Sequence, residues 1–285
     1  MKPYPETPHL EEAGSLTGHL WVQELPTGGR LRFQVAASGL VTFGIAGQSF
    51  DAVEAAPAPY RRAAAFVTEH FDRNAFHGAA DDPEQVTFFG LATRNEGVTY
   101  DWSTLPAFVA TDIGSGETGE PLAPDTASSV FRRLGLPALP AVTKEARAAH
   151  TDLGRYRQAG AFPTSRWRDG DAAAVLIRDK SGGRSQAWRP GAAAATVEPA
   201  TGTAAELAAE YATDSRIERT VTELRGDVGS PTVGAVRDRL VADVTREAYG
   251  SLYADGESVV PTREFEAALA ERVQQQLSTG ESGAT

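Results

Sequence analysis

Residues 20–35 read Leu20-Trp21-Val22-Gln23-Glu24-Leu25-Pro26-Thr27-Gly28-Gly29-Arg30-Leu31-Arg32-Phe33-Gln34-Val35. Leu20 to Leu25 and Leu31 to Val35 carry β-type residues, and the second run alternates apolar with polar, the period of a half-buried strand. Pro26-Thr27-Gly28-Gly29 between them has turn chemistry: proline fixes φ, and glycine accepts conformations that other residues avoid. A third run, Leu40 to Ile45, follows a Ser38-Gly39 turn. Together the three predict a meander.

Working outward, Pro59 to Phe71 places Tyr60, Ala63, Ala64, Val67 and Phe71 near one helical face, and Ala79 to Pro83 closes that excursion. Further strands are expected at Gln85 to Phe89, Ala107 to Ile113, Ala174 to Ile177 and Arg184 to Trp188, with a helix at Asp125 to Leu134. The stretch GAAAATVEPATG that follows is apolar but small and has no useful period, so it reads as a linker. Beyond it the pattern becomes helical. Ser215-x-x-Glu218 predicts a capping box, Ser230-Pro231 an N-cap with proline in the first turn, and Phe265, Leu269, Val273 and Leu277 one apolar face. The expected division is a first domain over 1–192, a linker over 193–203, a bundle of four helices over 204–279 and a disordered tail over 280–285.

Composition narrows the function classes. The 38 acidic residues exceed the 27 basic ones, giving a formal charge of -11, and the basic residues are 24 arginines and three lysines, Lys2, Lys144 and Lys180. This acidic, lysine-poor balance resembles proteins of a high-salt (halophilic-type) cytoplasm. Net charge alone opposes phosphate binding, but in molar salt the screening length is about 3 Å, and local clusters then decide. The chain has no cysteine, which excludes disulfides and thiolate metal sites. No apolar run approaches the roughly 20 residues of a membrane span, and the N-terminus lacks a signal-peptide core, so a cytoplasmic protein is expected.

The segment Glu24-Leu25-Pro26-Thr27-Gly28 with the strand after it resembles the nucleotidyl-lysine motif of the RNA ligases and their covalent nucleotidyltransferase relatives, Glu-Lys-x-Asp-Gly followed by a strand. Five more segments resemble that family in order. Val41-Thr42-Phe43-Gly44 is similar to the strand before its phosphate-contacting arginine, and Val86 to Ala92 to the strand of its ribose-contacting glutamate. Phe108 to Ile113 matches the strand that carries its stacking aromatic. Asp169 to Arg178 and Arg184 to Ala187 match its fourth and fifth motifs. The helical tail is similar to one appended to one RNA-ligase branch. The resemblance implies an α+β fold, with an antiparallel-rich, ATP-grasp-like nucleotidyltransferase domain and a small all-α C-terminal domain.

It also implies what is missing. The lysine of the family, which attacks the α-phosphorus of ATP, falls on Leu25, and the aspartate of the same motif on Thr27. The ribose glutamate falls on Leu91, the metal-holding glutamate on Ala173 and the phosphate-neutralising lysine on Gln186. No catalytic residue is therefore assigned. Glu24, Gly28, Ala46, Thr111 and Asp112 mark a vestigial nucleotide pocket, in which Ala46 replaces an arginine and Thr111 the aromatic. Lys180, in the turn Asp179 to Gly183, is expected to be a solvated surface residue, and Glu96 an exposed loop carboxylate. His70 and His77 are read as incidental, and no zinc-ligand spacing is present.

Arg30, Arg32, Arg178, Arg184 and Arg189 would lie on neighbouring strands of such a fold, as exposed strand residues or as a retained phosphate-contacting, nucleic-acid-binding surface. The leading expectation is a catalytically inactive RNA-ligase-like protein that binds RNA or DNA ends or accompanies an active ligase. Two alternatives stand beside it: an active ATP-dependent RNA ligase using a different nucleophile, and an interaction protein with no nucleic-acid role. No cofactor or metal is expected, ATP and Mg²⁺ being required only by the active alternative, and no membrane partner.

Overall fold

Pro26 and Thr27 do not close a hairpin; they carry the chain from one sheet into another. The computed structural model describes residues 1–116, 119–192, 197–228 and 230–282 and divides into two compact units, Met1–Thr196 and Val197–Thr285. In chain order the first unit contains β1 (His19–Leu25), β2 (Gly28–Val35), β3 (Val41–Ile45), β4 (Gln48–Phe50), α1 (Ala58–His70), α2 (Arg73–His77), β5 (Thr87–Thr93) and β6 (Phe108–Gly114). Then come α3 (Pro124–Arg133), β7 (Ala141–Arg147), β8 (Ala174–Asp179) and β9 (Arg184–Trp188). One sheet has the order β7-β1-β8-β9 and the other β4-β3-β2-β5-β6, and all these pairings are antiparallel. The fold is mixed α and β with antiparallel sheets.

The expected meander is corrected at its first turn: β2 and β3 pair, but β1 belongs to the other sheet. Proline cannot donate to a ladder, so pairing breaks at Pro26. The Thr27 N–H goes instead to the Tyr100 hydroxyl at 3.0 Å, and its Oγ1 donates to Arg94 O at 2.6 Å. The chain enters β2 through Gly28, where a Cβ would stand 2.5 Å from Ala92 O on β5. Only glycine lets the strands approach so closely.

Alternation along β2 then sorts the five-stranded sheet. Leu31, Phe33 and Val35 turn to a core completed by Phe43, Phe88 and Phe108, with Ala63, Ala64 and Val67 of α1 and Phe131 of α3. Phe33 lies parallel to Phe88 with centroids 4.8 Å apart and meets Phe71 edge-on at 5.3 Å. Arg30, Arg32 and Gln34 occupy the other face. In the four-stranded sheet Leu20, Val22, Val175 and Ile177 pack against Tyr156 and Phe162. Its opposite face brings Leu25 and Leu176 against Leu91 and Val109 of the five-stranded sheet. The two sheets thus meet face to face, and the residues between them form the candidate site.

The second unit contains α4 (Ala204–Tyr211), α5 (Asp214–Val228), α6 (Val233–Glu247), α7 (Tyr249–Leu252), a hairpin of β10 (Tyr253–Ala254) and β11 (Glu257–Ser258), and α8 (Thr262–Ser282). It is helical but not all-α; α8 packs against α4 and α6, and Leu207, Leu240, Phe265, Leu269 and Val273 are buried. The capping box forms at Thr203 and Glu206, not at Ser215, which lies inside α5. Thr232, not Ser230, caps α6, because its side chain accepts from the Ala235 N–H. α8 continues past residue 280, where a tail was expected; 283–285, and 193–196 of the expected linker, lie outside the described residues. Among the described residues no helix is long and apolar enough to cross a membrane.

Candidate functional site

A cavity of about 210 Å³ opens between the sheets. Leu25, Leu91, Leu176 and Trp188 form its apolar side, and Thr111, Asp112, Arg184 and Gln186 its polar side. Arg30 and Glu96 stand at its edge, and Pro26, Gly28, Tyr4 and Thr7 complete the lining.

The apolar side is an extension of core. Leu25 and Leu91 are each only 8% exposed, and they share one cluster with Leu105, Val109, Trp167 and Ala173. Ala173 lies behind the wall and does not line the cavity. The three positions where the resemblance calls for a lysine and two glutamates are therefore packed as hydrocarbon, and a charge placed among them would carry a large desolvation cost. Among the lining residues there is no lysine. Lys2 Nζ donates to Gly116 O, and Lys144 Nζ sits 5.1 Å from the centre of the Trp21 ring. Lys180, expected to be simply solvated, is paired with Glu145 at 2.8 Å and Asp125 at 3.0 Å. These carboxylates hold its ammonium above the usual lysine value, the reverse of what a nucleophilic amine needs.

The polar side is an ion cluster that joins the sheets. Asp112 of β6 accepts from Arg178 Nη1 of β8 at 2.6 Å and from Arg184 Nη2 of β9 at 2.8 Å. Arg178 also donates to Thr111 O at 2.7 Å and to Gln23 Oε1, and Gln23 donates onward to Leu139 O at 3.0 Å. Burial alone would raise the Asp112 carboxyl, but the two guanidinium groups outweigh it and hold the group below the usual aspartate value. Arg184 Nε is buried without a hydrogen-bond partner.

This overturns part of the expected arginine surface. Arg178 is 4% exposed and serves the interior. Arg32 lines a separate hollow with Met1 and Gly44, and Arg189, beyond the end of β9, lines neither. Arg30 and Arg184 remain at the cavity. Of the expected nucleotide pocket, Gly28, Thr111 and Asp112 line the cavity, and Leu25, Leu91 and Gln186 join them from the altered catalytic positions. Ala46 lies in the exposed turn between β3 and β4, and Thr27 is engaged with Arg94 and Tyr100. The Glu24 carboxylate is held elsewhere, by the Ser165 hydroxyl and the Arg166 N–H. Burial pushes its pKa up despite those donors. Glu96, expected in an open loop, reaches the cavity edge and pairs with Arg94 at 2.7 Å.

Sequence reasoning missed Tyr4, Thr7 and Trp188. Tyr4 donates to Gly90 O at 3.2 Å, lies 3.1 Å from Thr111 Oγ1, and meets Phe89 edge-on. The Arg30 guanidinium stands 5.1 Å above its ring. Burial pushes the phenol up to about 12, so it stays neutral. The signal was an aromatic residue between Pro3 and Pro5 in an otherwise polar terminus.

Solved structures that resemble this chain include ATP-dependent RNA and DNA ligases. An archaeal ATP-dependent RNA ligase is 14% identical, covering 99% of this chain and 67% of its own length with a TM-score of 0.47. A Naegleria gruberi RNA ligase variant with ATP and Mn is 10% identical over 66% of this chain and 56% of its own, with a TM-score of 0.48. A protein assigned as an ATP-dependent DNA ligase from Aquifex aeolicus is 10% identical over 99% and 68%, with a TM-score of 0.45. No protein-family profile matches the chain, and no curated protein does. This chain spans roughly 56 to 68% of the length of those structures. At such values a likeness does not carry activity, and what the cavity can do follows from its own residues.

Those residues do not fit a magnesium-bound triphosphate. The two lining carboxylates, Asp112 and Glu96, are each committed to arginine. Among the described residues no group of three or more His, Asp or Glu is placed to hold a metal.

Proposed function

We propose that this chain is a catalytically inactive, RNA-ligase-like protein whose inter-sheet cavity receives a nucleic-acid end, either alone or as accessory partner of an active ligase in the cytoplasm. One observation carries the reading. Leu25, at the position of the nucleophile, is packed with Leu91 and Ala173 into core, while Arg30 and Arg184 stay at the cavity. Arginine at a groove edge attracts phosphate without any covalent step. A hydrocarbon side chain cannot form a phosphoramidate. The helical second unit is proposed as the counterpart of the domain appended to one RNA-ligase branch.

The test has two arms. Incubation with α-labelled ATP and Mg²⁺, followed by a denaturing gel, is expected to leave the protein unlabelled. Fluorescence anisotropy with 5′-phosphorylated RNA and DNA of about a dozen nucleotides is expected to show binding that weakens with salt. Labelled protein overturns the inactive reading, and no binding at low salt overturns the nucleic-acid reading.

A further inference from the structure

Residues 1–10 cross the gap between the two sheets and are tied to both. At one end the Lys2 N–H donates to Thr87 Oγ1 of β5 at 3.4 Å, and Tyr4 is bonded to Gly90 of β5 and adjoins Thr111 of β6. At the other end His9 lies in parallel register with Gln186 of β9, where the Leu10 N–H donates to Gln186 O at 2.8 Å and the Gln186 N–H to Pro8 O at 2.9 Å. Tyr4 at the first tie and Thr7 between the two ends enter the cavity lining. We propose that this segment is a displaceable strap that closes the cavity against its own ligand, an inference that rests on the nucleic-acid reading above.

Three features make the strap an occupant of the site and not simply a piece of its wall. Its ties use groups a ligand would need: Thr111 and Gln186 line the cavity, and the Arg30 guanidinium lies over the Tyr4 ring instead of facing a phosphate. Its attachment is concentrated at the two ends, because Pro3, Pro5 and Pro8 have no N–H to give and no regular strand forms over residues 1–10. Its residues are at best partly buried, with Met1, Pro3, Glu6 and His9 exposed, so leaving the gap uncovers chiefly Tyr4 and, at the far anchor, Leu10. A segment held in this way opens locally at a cost far below that of unfolding. While it is closed, the apparent affinity of the cavity is lowered by the fraction of molecules that are open.

The experiment compares the full chain with Tyr4→Ala and Tyr4→Phe by anisotropy of a labelled, 5′-phosphorylated RNA of about a dozen nucleotides. The chain contains no cysteine, so Thr7→Cys supplies a single thiol whose rate of reaction with a thiol reagent reports strap opening directly. The expected result is that Tyr4→Ala binds at least about fivefold more tightly and Tyr4→Phe less so. Saturating RNA is expected to speed modification of the thiol at position 7. Equal affinity of all three chains, with a thiol that RNA leaves unchanged or protects, overturns the strap while the nucleic-acid reading survives. Absence of binding by every variant overturns both.

Discussion

Asp112 of β6 and Arg178 of β8 form a 2.6 Å ion pair between side chains that are 1% and 5% exposed, and with Arg184 they join the two sheets beside the cavity. Removing the shared carboxylate leaves two guanidinium groups facing each other without compensation. Asp112→Ala is expected to destabilise the chain by about 3–5 kcal/mol, the range for breaking a buried pair from one side. Arg184→Met, which leaves the pair with Arg178 intact, is expected to cost clearly less. Urea unfolding of each variant checks the order.

The same cluster sets a dependence on acid. The Asp112 pKa in the folded chain lies below its unfolded value, so its contribution is fully present above the ordinary aspartate range. That contribution is lost as pH falls through the lower, folded pKa. The unfolding midpoint should therefore drop steeply below about pH 4. Asp112→Asn is expected to lower stability at neutral pH and to flatten that acid limb.

Glu24 titrates in the opposite sense. Its folded pKa is raised by burial, so protonation favours the folded state, and stability falls as pH rises through that value. In Glu24→Gln the amide oxygen can accept from the Arg166 N–H and the NH₂ can donate to Ser165 Oγ. A change within about 1 kcal/mol at pH 7 is expected, while Glu24→Ala costs about 1–3 kcal/mol by leaving buried donors unmet. Denaturant titrations at two pH values measure both.

Leu25→Lys tests the nucleophile position. The new amine would lie among Leu91, Trp167 and Ala173, where burial lowers a lysine pKa. A neutral amine without positioned ATP still has nothing to attack, and Leu91 and Ala173 supply no carboxylate. Loss of stability by about 2–4 kcal/mol is expected, with no covalent adenylate on incubation with labelled ATP and Mg²⁺. Calorimetry and a denaturing gel read the two effects.

Gly28→Ala tests the closeness of β2 and β5. The added methyl would stand 2.5 Å from Ala92 O, a backbone atom that cannot turn aside. A cost of about 1–3 kcal/mol is expected from overpacking, visible as a lowered urea midpoint.

Much of this architecture was legible where a residue pattern has one structural meaning. Leu31, Phe33 and Val35 alternate with Arg30, Arg32 and Gln34, and β2 follows. Tyr60 to Val67 repeat at helical spacing, and α1 follows. The pairing of β1 was not legible, because its residues beyond His19 are buried on both faces and a continuous buried run does not name its partners. Strand β7 was missed because Val142 to Glu145 are exposed and give no apolar period. For the site, the sequence located Leu25, Leu91, Thr111 and Gln186 at one cavity through motif order. It did not separate Arg178 from Arg32, since the carboxylate that buries Arg178 comes from a strand 66 residues earlier. The strap was hidden for a similar reason: extended, proline-rich segments carry no periodic signal.

The change of sheet at Pro26 has a consequence for the order in which the chain assembles. Residues 28–114 contain every strand of the five-stranded sheet, so that sheet can close while later residues are still being synthesised. Strand β1, made earlier, has to wait for β7 and β8, more than a hundred residues further on, and stays an unpaired edge in the interval. The N-terminal segment waits longer still, because its second anchor is Gln186 on β9. Residues 1–10 are thus among the last of the first unit to be fixed, and a truncation that removes β8 and β9 leaves both β1 and the segment before it short of a partner.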